Sequence, residues 1–298
     1  MSRESPHVGS IEEVAQSKTM TPKQRIATIV KWIKSYARSA KINTLVVGIS
    51  GGIDSSVVSA LCARTGLKTI VVQMPIHQDK TLDNRSSMQA GWLLEHYDSI
   101  MHLNPNLTPV YDAFEESVGW FCNIDQEPSS RKRPDWLADG NISQEQKQLA
   151  WANSRARLRM MTLYQIAQSY GGLVVGTGNR VEDFGVGFFT KYGDGGVDIS
   201  PIGDCMKTDV WDMGRGLGLP QEIIDAAPTD GLWTDGRTDE DQLGMTYPEL
   251  ELAMDQDENS DLWDPTSPQE KKNLRRYREI RATNLHKMLP IPVCKFDW

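Results

Sequence analysis

Apolar residues recur along this chain in two rhythms. Leu45, Val46 and Val47 form a short β-branched run suited to a buried strand, and Val57, Val58 and Leu61 then fall on one stripe of a helix. Upstream, Thr21 and Gln24 make a capping box with Pro22 in the first turn. Ile26, Ile29, Val30, Ile33 and Ala37 share the face of the helix that follows. Further strands are predicted at 69–74, 99–103 and 172–176, and helices at 80–97, 149–170 and 269–285, with a helix entry near Thr246 or Tyr247 in the 243–254 segment. This alternation predicts an α/β fold: a doubly wound, Rossmann-like parallel sheet flanked by helices on both faces. Residues 1–20 lack periodicity and read as a loose arm, which leaves 21–298 as a single domain. Inside it, 121–148 breaks into a polar stretch with Arg131, Lys132 and Arg133 between two prolines. A lid over phosphate and a solvated surface insertion both fit, and charge runs are mostly solvated faces.

Composition narrows the function. Over 298 residues the formal charge is −8, so a broad polyanion-binding face, and with it nucleic acid, is a poor expectation. The four cysteines have no CxxC spacing, against a zinc site or a disulfide framework, and Cys62 reads as a small core residue. No apolar run approaches a membrane span and no secretory leader is visible, so a soluble, cytoplasmic protein is expected.

The chemistry centres on Gly48-Ile49-Ser50-Gly51-Gly52-Ile53-Asp54-Ser55. Its glycines let the backbone turn sharply and approach a ligand, and the next helix aims its free N–H groups into the loop, which makes an anion site. A carboxylate at the mouth of such a site repels phosphate unless a cation lies between them, so Asp54 argues for Mg²⁺. The loop lacks the lysine of a Walker A sequence, and the alternative is an ordinary strand-to-helix turn with Asp54 and Ser55 as caps. Thr177, after the 172–176 strand, lies on the same carboxyl-end rim, and Glu182 is either a second metal ligand or a helix-start acid. The glycine-rich 188–201 loop presents Lys191, Asp194 and Asp198, for substrate hydroxyls and proton transfer or as a self-bonded turn. Arg155, Arg157 and Arg159 alternate along a helix and diverge too far for all three to reach one ligand.

SGGIDS resembles the pyrophosphate loop of the N-type ATP pyrophosphatases. Together with NSRARLRM, GTGNRVE, GFFTKYGDGGVDISPIGD, APTDGL, DEDQLGMTY and a late His-Lys pair, in that order over roughly residues 20–298, the chain resembles the synthetase domain of NAD synthetase. The resemblance implies ATP-dependent amidation of nicotinic acid adenine dinucleotide (deamido-NAD) to NAD through an acyl-adenylate, with ATP as co-substrate and Mg²⁺ held by Asp54 and Glu182. It further implies ATP contacts from residues 48–55, Thr177, Lys207 and Thr229, and deamido-NAD contacts from Arg157, Lys191, Asp198, His286 and Lys287. Asp194 is the candidate proton acceptor, Lys207 offsets charge growing on the phosphates, and a homodimer is expected. Two departures stand out: the family's common GTDHAAE is here GTGNRVE, and one extra residue separates Glu182 from Lys191 relative to short bacterial forms.

Free ammonia is the expected nitrogen source, because the chain has no room for an amidase domain; a separate glutaminase could supply it. Two rivals frame the reading. A thiolating pyrophosphatase wants paired reactive cysteines and a basic RNA face. A non-catalytic ATP-binding regulator would keep the glycine loop but has no need of Glu182, Lys207 and the KYGDGG turn together.

Overall fold

The structure is a computed structural model that describes residues 20–78, 80–122, 143–229, 238–260 and 265–296. The 1–19 arm and most of the polar stretch, 123–142, lie outside the described residues. Four parallel strands form one sheet in the order β3-β2-β1-β4: β1 Thr44–Gly48, β2 Lys68–Val72, β3 Ile100–Leu103 and β4 Gly172–Val174. Register runs from Thr44 opposite Lys68 to Gly48 opposite Val72 on one side of β1, and from Thr44 opposite Gly172 to Val46 opposite Val174 on the other.

The helices before the sheet turns back are α1 Pro22–Ser39, α2 Ile53–Arg64, α3 Lys80–His96, α4 Thr108–Cys122 and α5 Gln144–Ser169. Thr21 caps α1 in the box the sequence predicts: its hydroxyl accepts from Gln24 N–H and its own N–H donates to Gln24 Oε1 at 2.9 Å. Helix α5 starts five residues earlier than its apolar pattern indicates, because Ser143 and Gln146 form a second capping box. Beyond β4 come a π-helix, Arg180–Val186, then α6 Lys207–Leu217, α7 Gln221–Ile224, α8 Asp239–Leu243, α9 Tyr247–Glu258 and α10 Pro268–Met288. The helix entry expected near Thr246 or Tyr247 is found there, with Thr246 as the N-cap of α9, and the separate α8 before it ends at Gly244, whose φ of 78° makes a left-handed cap.

Strand alternation divides the core. Leu45 and Val47 pack with α1, α2 and α6, while Val46 on the opposite face packs with Met160 and Leu163 of α5. Helix α2 is covered far beyond its predicted stripe, with Ser55, Ser56 and Ser59 also buried. Each serine satisfies its hydroxyl on the helix backbone: Ser56 Oγ donates to Gly52 O and Ser59 Oγ to Ser56 O. Cys62 is wholly buried and burial pushes its thiol far up, as a core residue requires. A third apolar cluster joins Val181 and Val186 of the π-helix to α9 and Tyr277 of α10. No described helix is long and apolar enough to cross a membrane.

Chain direction decides where a ligand binds. From β1 the chain winds outward through β2 to β3, then returns to place β4 on the other side of β1. The crevice between the carboxyl ends of β1 and β4 is therefore the topological switch point, where open α/β sheets bind ligands.

Candidate active site

A cavity of about 680 Å³ opens at that switch point. The loop after β1 forms its floor. Gly51 adopts φ 83°, and a Cβ there would lie 2.8 Å from Leu82 O and 2.9 Å from Ser86 N, so the loop lies flush against α3 only because this residue is glycine. Gly52 is the N-cap of α2 and no side chain caps that end. Asp54 and Ser55 are thus not its caps. Gly48, Ile49, Ser50, Gly52, Ile53, Asp54 and Ser55 line the cavity, so α2 begins on its wall, and a helix start without a side-chain cap is suited to bind an anion.

Lys207 organises the charge. It is the first residue of α6, its side chain is 2% exposed, and its Nζ donates to Asp54 Oδ2 at 2.5 Å and to Glu182 Oε1 at 2.9 Å. Burial alone lowers a lysine pKa, but the two carboxylates outweigh it and hold Lys207 above its ordinary value. The carboxylates are themselves held: Asn179 Nδ2 donates to Asp54 Oδ1 at 3.1 Å, while its Oδ1 accepts the Glu182 N–H at 3.0 Å as N-cap of the π-helix. Tyr247, fully buried, donates its hydroxyl to Glu182 Oε1, and burial beside Glu182 and Asp239 raises its pKa far above the ordinary value. Glu182 is a helix-start acid by position, yet its side chain serves the cation rather than the helix dipole.

Among the described residues no group of three or more metal-ligating side chains assembles. The donor set still suits Mg²⁺. Two carboxylates from different elements already converge on one cationic point, and Mg²⁺ is commonly held by one or two carboxylates with substrate phosphates supplying the rest.

The second half of the cavity holds the other predicted residues. Thr177 follows β4, Thr229 lies beyond α7, and both line it. Arg157 Nε donates to Lys191 O at 3.2 Å, Lys191 Nζ to His286 O at 2.9 Å, and Lys287 Nζ to Phe189 O at 2.7 Å, which ties the end of α10 to the 188–191 loop. Burial lowers the Lys287 pKa, against the pull of Asp194 and Asp183. Asp194 Oδ1 accepts the Thr190 N–H at 3.0 Å, so the turn does bond its own backbone, and Asp194 also lines the cavity. Of the three arginines, Arg157 and Arg159 line it and Arg155 turns to Tyr111. Asp198 is not among the lining residues: it accepts from Val174 N–H at 2.8 Å and Tyr164 OH at 3.0 Å.

Asn179, Asp183 and Tyr247 were missed by the sequence reading. Asn179 had a readable signal, a capping residue three positions before Glu182. Tyr247 had none, since it meets Glu182 from 65 residues away.

A parallel sheet with an uncapped helix N-terminus and a buried carboxylate–lysine cluster at its switch point defines a nucleotide-binding α/β protein. Its architecture is shared by the NH3-dependent NAD synthetase from Campylobacter jejuni (TM-score 0.67, 20% identity, covering 93% of this chain and 100% of that one), which has the adenine nucleotide α hydrolase-like fold. Residues 25–290 match the sequence model of NAD synthase, and the chain belongs to that family. An NH(3)-dependent NAD(+) synthetase from Carboxydothermus hydrogenoformans is 36% identical over 229 residues, 76% of this chain and 83% of that protein. The structure of an NMN synthetase from Francisella tularensis is similar at TM-score 0.75 and 30% identity, covering 93% of this chain and 100% of that one.

Proposed function

We propose that this chain is an ammonia-dependent NAD synthetase, which amidates deamido-NAD to NAD at the expense of ATP and releases AMP and pyrophosphate. The observation that carries the reading is Lys207 buried between Asp54 and Glu182 beside the uncapped end of α2, in a chain of the NAD synthase family.

A carboxylate is a poor electrophile with a poor leaving group, and adenylation repairs both faults. The nicotinate carboxylate attacks the α-phosphorus of ATP, the bond to pyrophosphate breaks, and ammonia then displaces AMP from the acyl-adenylate. The backbone of residues 48–55 holds the departing pyrophosphate, with Thr177 and Thr229 on the rest of ATP. Asp54 and Glu182 would hold Mg²⁺, which neutralises phosphate charge when bound. Lys207, whose ammonium lies on the same two carboxylates at the cavity, offsets charge developing on the phosphates. Arg157, Lys191, His286 and Lys287 hold deamido-NAD across the other half of the cavity. Asp198 stays in that set on the resemblance alone. Asp194 takes a proton from the attacking nitrogen.

NAD synthetases are typically cytoplasmic, and we place this protein there. A homodimer is supported by Val110 and Phe114, which stand exposed one turn apart on α4, and by Leu149 exposed on α5. The likeness to an NMN synthetase favours a second reading in which the acid amidated is the mononucleotide.

The test is product formation by the purified chain with ATP, Mg²⁺ and either acid, given ammonium or glutamine. NAD formed with ammonium and not with glutamine, alongside AMP and pyrophosphate, is the expected result. A mononucleotide used far better than the dinucleotide would establish the second reading, and no amide from either acid would overturn both.

A further inference from the structure

The π-helix delivers a carboxylate that the mechanism above does not use. Gly187 N–H closes the wide turn onto Glu182 O, five residues back, the spacing of a π-turn. Such turns recur at functional sites, and this one coincides with the extra residue between Glu182 and Lys191. Its consequence is that two successive side chains, Glu182 and Asp183, both line the cavity.

Asp183 has a made-to-measure seat. A Cβ built on Gly178 would fall 1.8 Å from Asp183 Oδ2 and 2.2 Å from its Cγ, and its three nearest atoms all belong to that carboxyl. The carboxyl therefore occupies the space a side chain at 178 would fill, the position where GTDHAAE carries Asp. The Asp183 carboxyl accepts no hydrogen bond from the described residues, whereas Asp54, Glu182, Asp194 and Asp198 each accept at least one. Asp183 lines the same cavity as Asp54, Glu182 and Asp194.

We propose that Asp183, seated on Gly178, is the hydrogen-bond acceptor that receives the incoming ammonia or ammonium beside Asp194. The assignment rests on the synthetase reading. Phosphate oxygens and the substrate carboxylate are acceptors that a carboxylate repels, whereas the nitrogen substrate brings only N–H groups it needs to place. Asp183 shares its cavity with the pyrophosphate loop and with Asp194, the candidate proton acceptor. Ribose hydroxyls and the adenine amino groups are the other donors on the substrates, and kinetics separate them from the nitrogen substrate.

The experiment measures KM for ammonium, deamido-NAD and ATP at one pH for wild type, Asp183→Asn, Asp183→Ala, Gly178→Ala and the Gly178→Ala/Asp183→Ala double variant. Loss of one charged hydrogen bond is expected to raise the KM for ammonium about 10- to 100-fold, with the other two KM values within about twofold. Gly178→Ala should match Asp183→Ala, because its methyl evicts the carboxyl, and the double variant should be no worse than either. The near-isosteric Asp183→Asn guards against a folding defect. An unchanged KM for ammonium, or a rise confined to deamido-NAD or ATP, overturns the proposal. A wild type that forms no NAD overturns the synthetase reading itself, and this assignment with it.

Discussion

Lys207→Met is expected to abolish measurable turnover, lowering kcat/KM by about 10³-fold or more, since one preorganised charge at a developing anion contributes about 10²–10³ in rate and this one also organises its neighbours. The variant should be less stable too. Removing one member of a buried ion cluster leaves the others uncompensated, at about 3–5 kcal/mol, and here two carboxylates, 18% and 13% exposed, lose their shared cation. The dependence on pH has a definite sign. The folded pKa of Lys207 lies above its ordinary 10.5, so its stabilisation is complete below that pH and is lost as pH rises through and beyond it. Denaturation profiles of wild type and Lys207→Met should therefore run apart at neutral pH and converge in strong alkali. A variant that unfolds at the same denaturant concentration as wild type would show that the cluster stores no stability.

Gly51→Ala should have the second largest effect. A left-handed backbone at a non-glycine residue costs about 1–2 kcal/mol, and the added methyl also meets Leu82 O and Ser86 N inside 3.0 Å, so the loop or the start of α3 must shift. A displacement near 1 Å in a positioning loop costs about 10²-fold in rate. Gly52→Ala is the steric control: its methyl meets only Ser50 Oγ, at 3.4 Å, so apart from the modest cost of alanine at an N-cap its melting temperature should fall less than that of Gly51→Ala, which drops by several degrees. Equal melting temperatures for the two would remove the steric account.

Local physics made much of the scaffold legible. The β-branched run of β1, the glycines after it and the Thr21 capping box each depend on neighbours within a few residues, and the parallel α/β class followed from their alternation. Boundaries shifted where tertiary contacts or caps overrode periodicity: β4 ends at Val174, with Val175 keeping its N–H on Val46 O while also bridging to Ile199, and α5 starts at Gln144 behind the Ser143 cap. The glycine loop, Asp54, Thr177, Glu182, Lys191 and Asp194 could be singled out from local chemistry, whereas Lys207, Thr229, His286 and Lys287 entered through the resemblance. The Lys207–Asp54 contact spans 153 residues, and no spacing rule predicts it. Neither could spacing show that an extra residue becomes a π-turn, nor that Asp183 lies over Gly178. Asp198 shows the opposite limit: a motif position can be matched while its carboxylate faces a strand backbone and a tyrosine.

The central claim is that the cavity at the β1–β4 switch point activates a carboxylate by adenylation. Its most direct measurement uses deamido-NAD labelled with ¹⁸O in the nicotinate carboxylate, with ATP, Mg²⁺ and ammonium, followed by mass spectrometry of the products. Attack on the α-phosphorus predicts one ¹⁸O in AMP, one retained in the amide of NAD and none in pyrophosphate. Label appearing in pyrophosphate or inorganic phosphate, or unlabelled AMP formed alongside NAD, would contradict it.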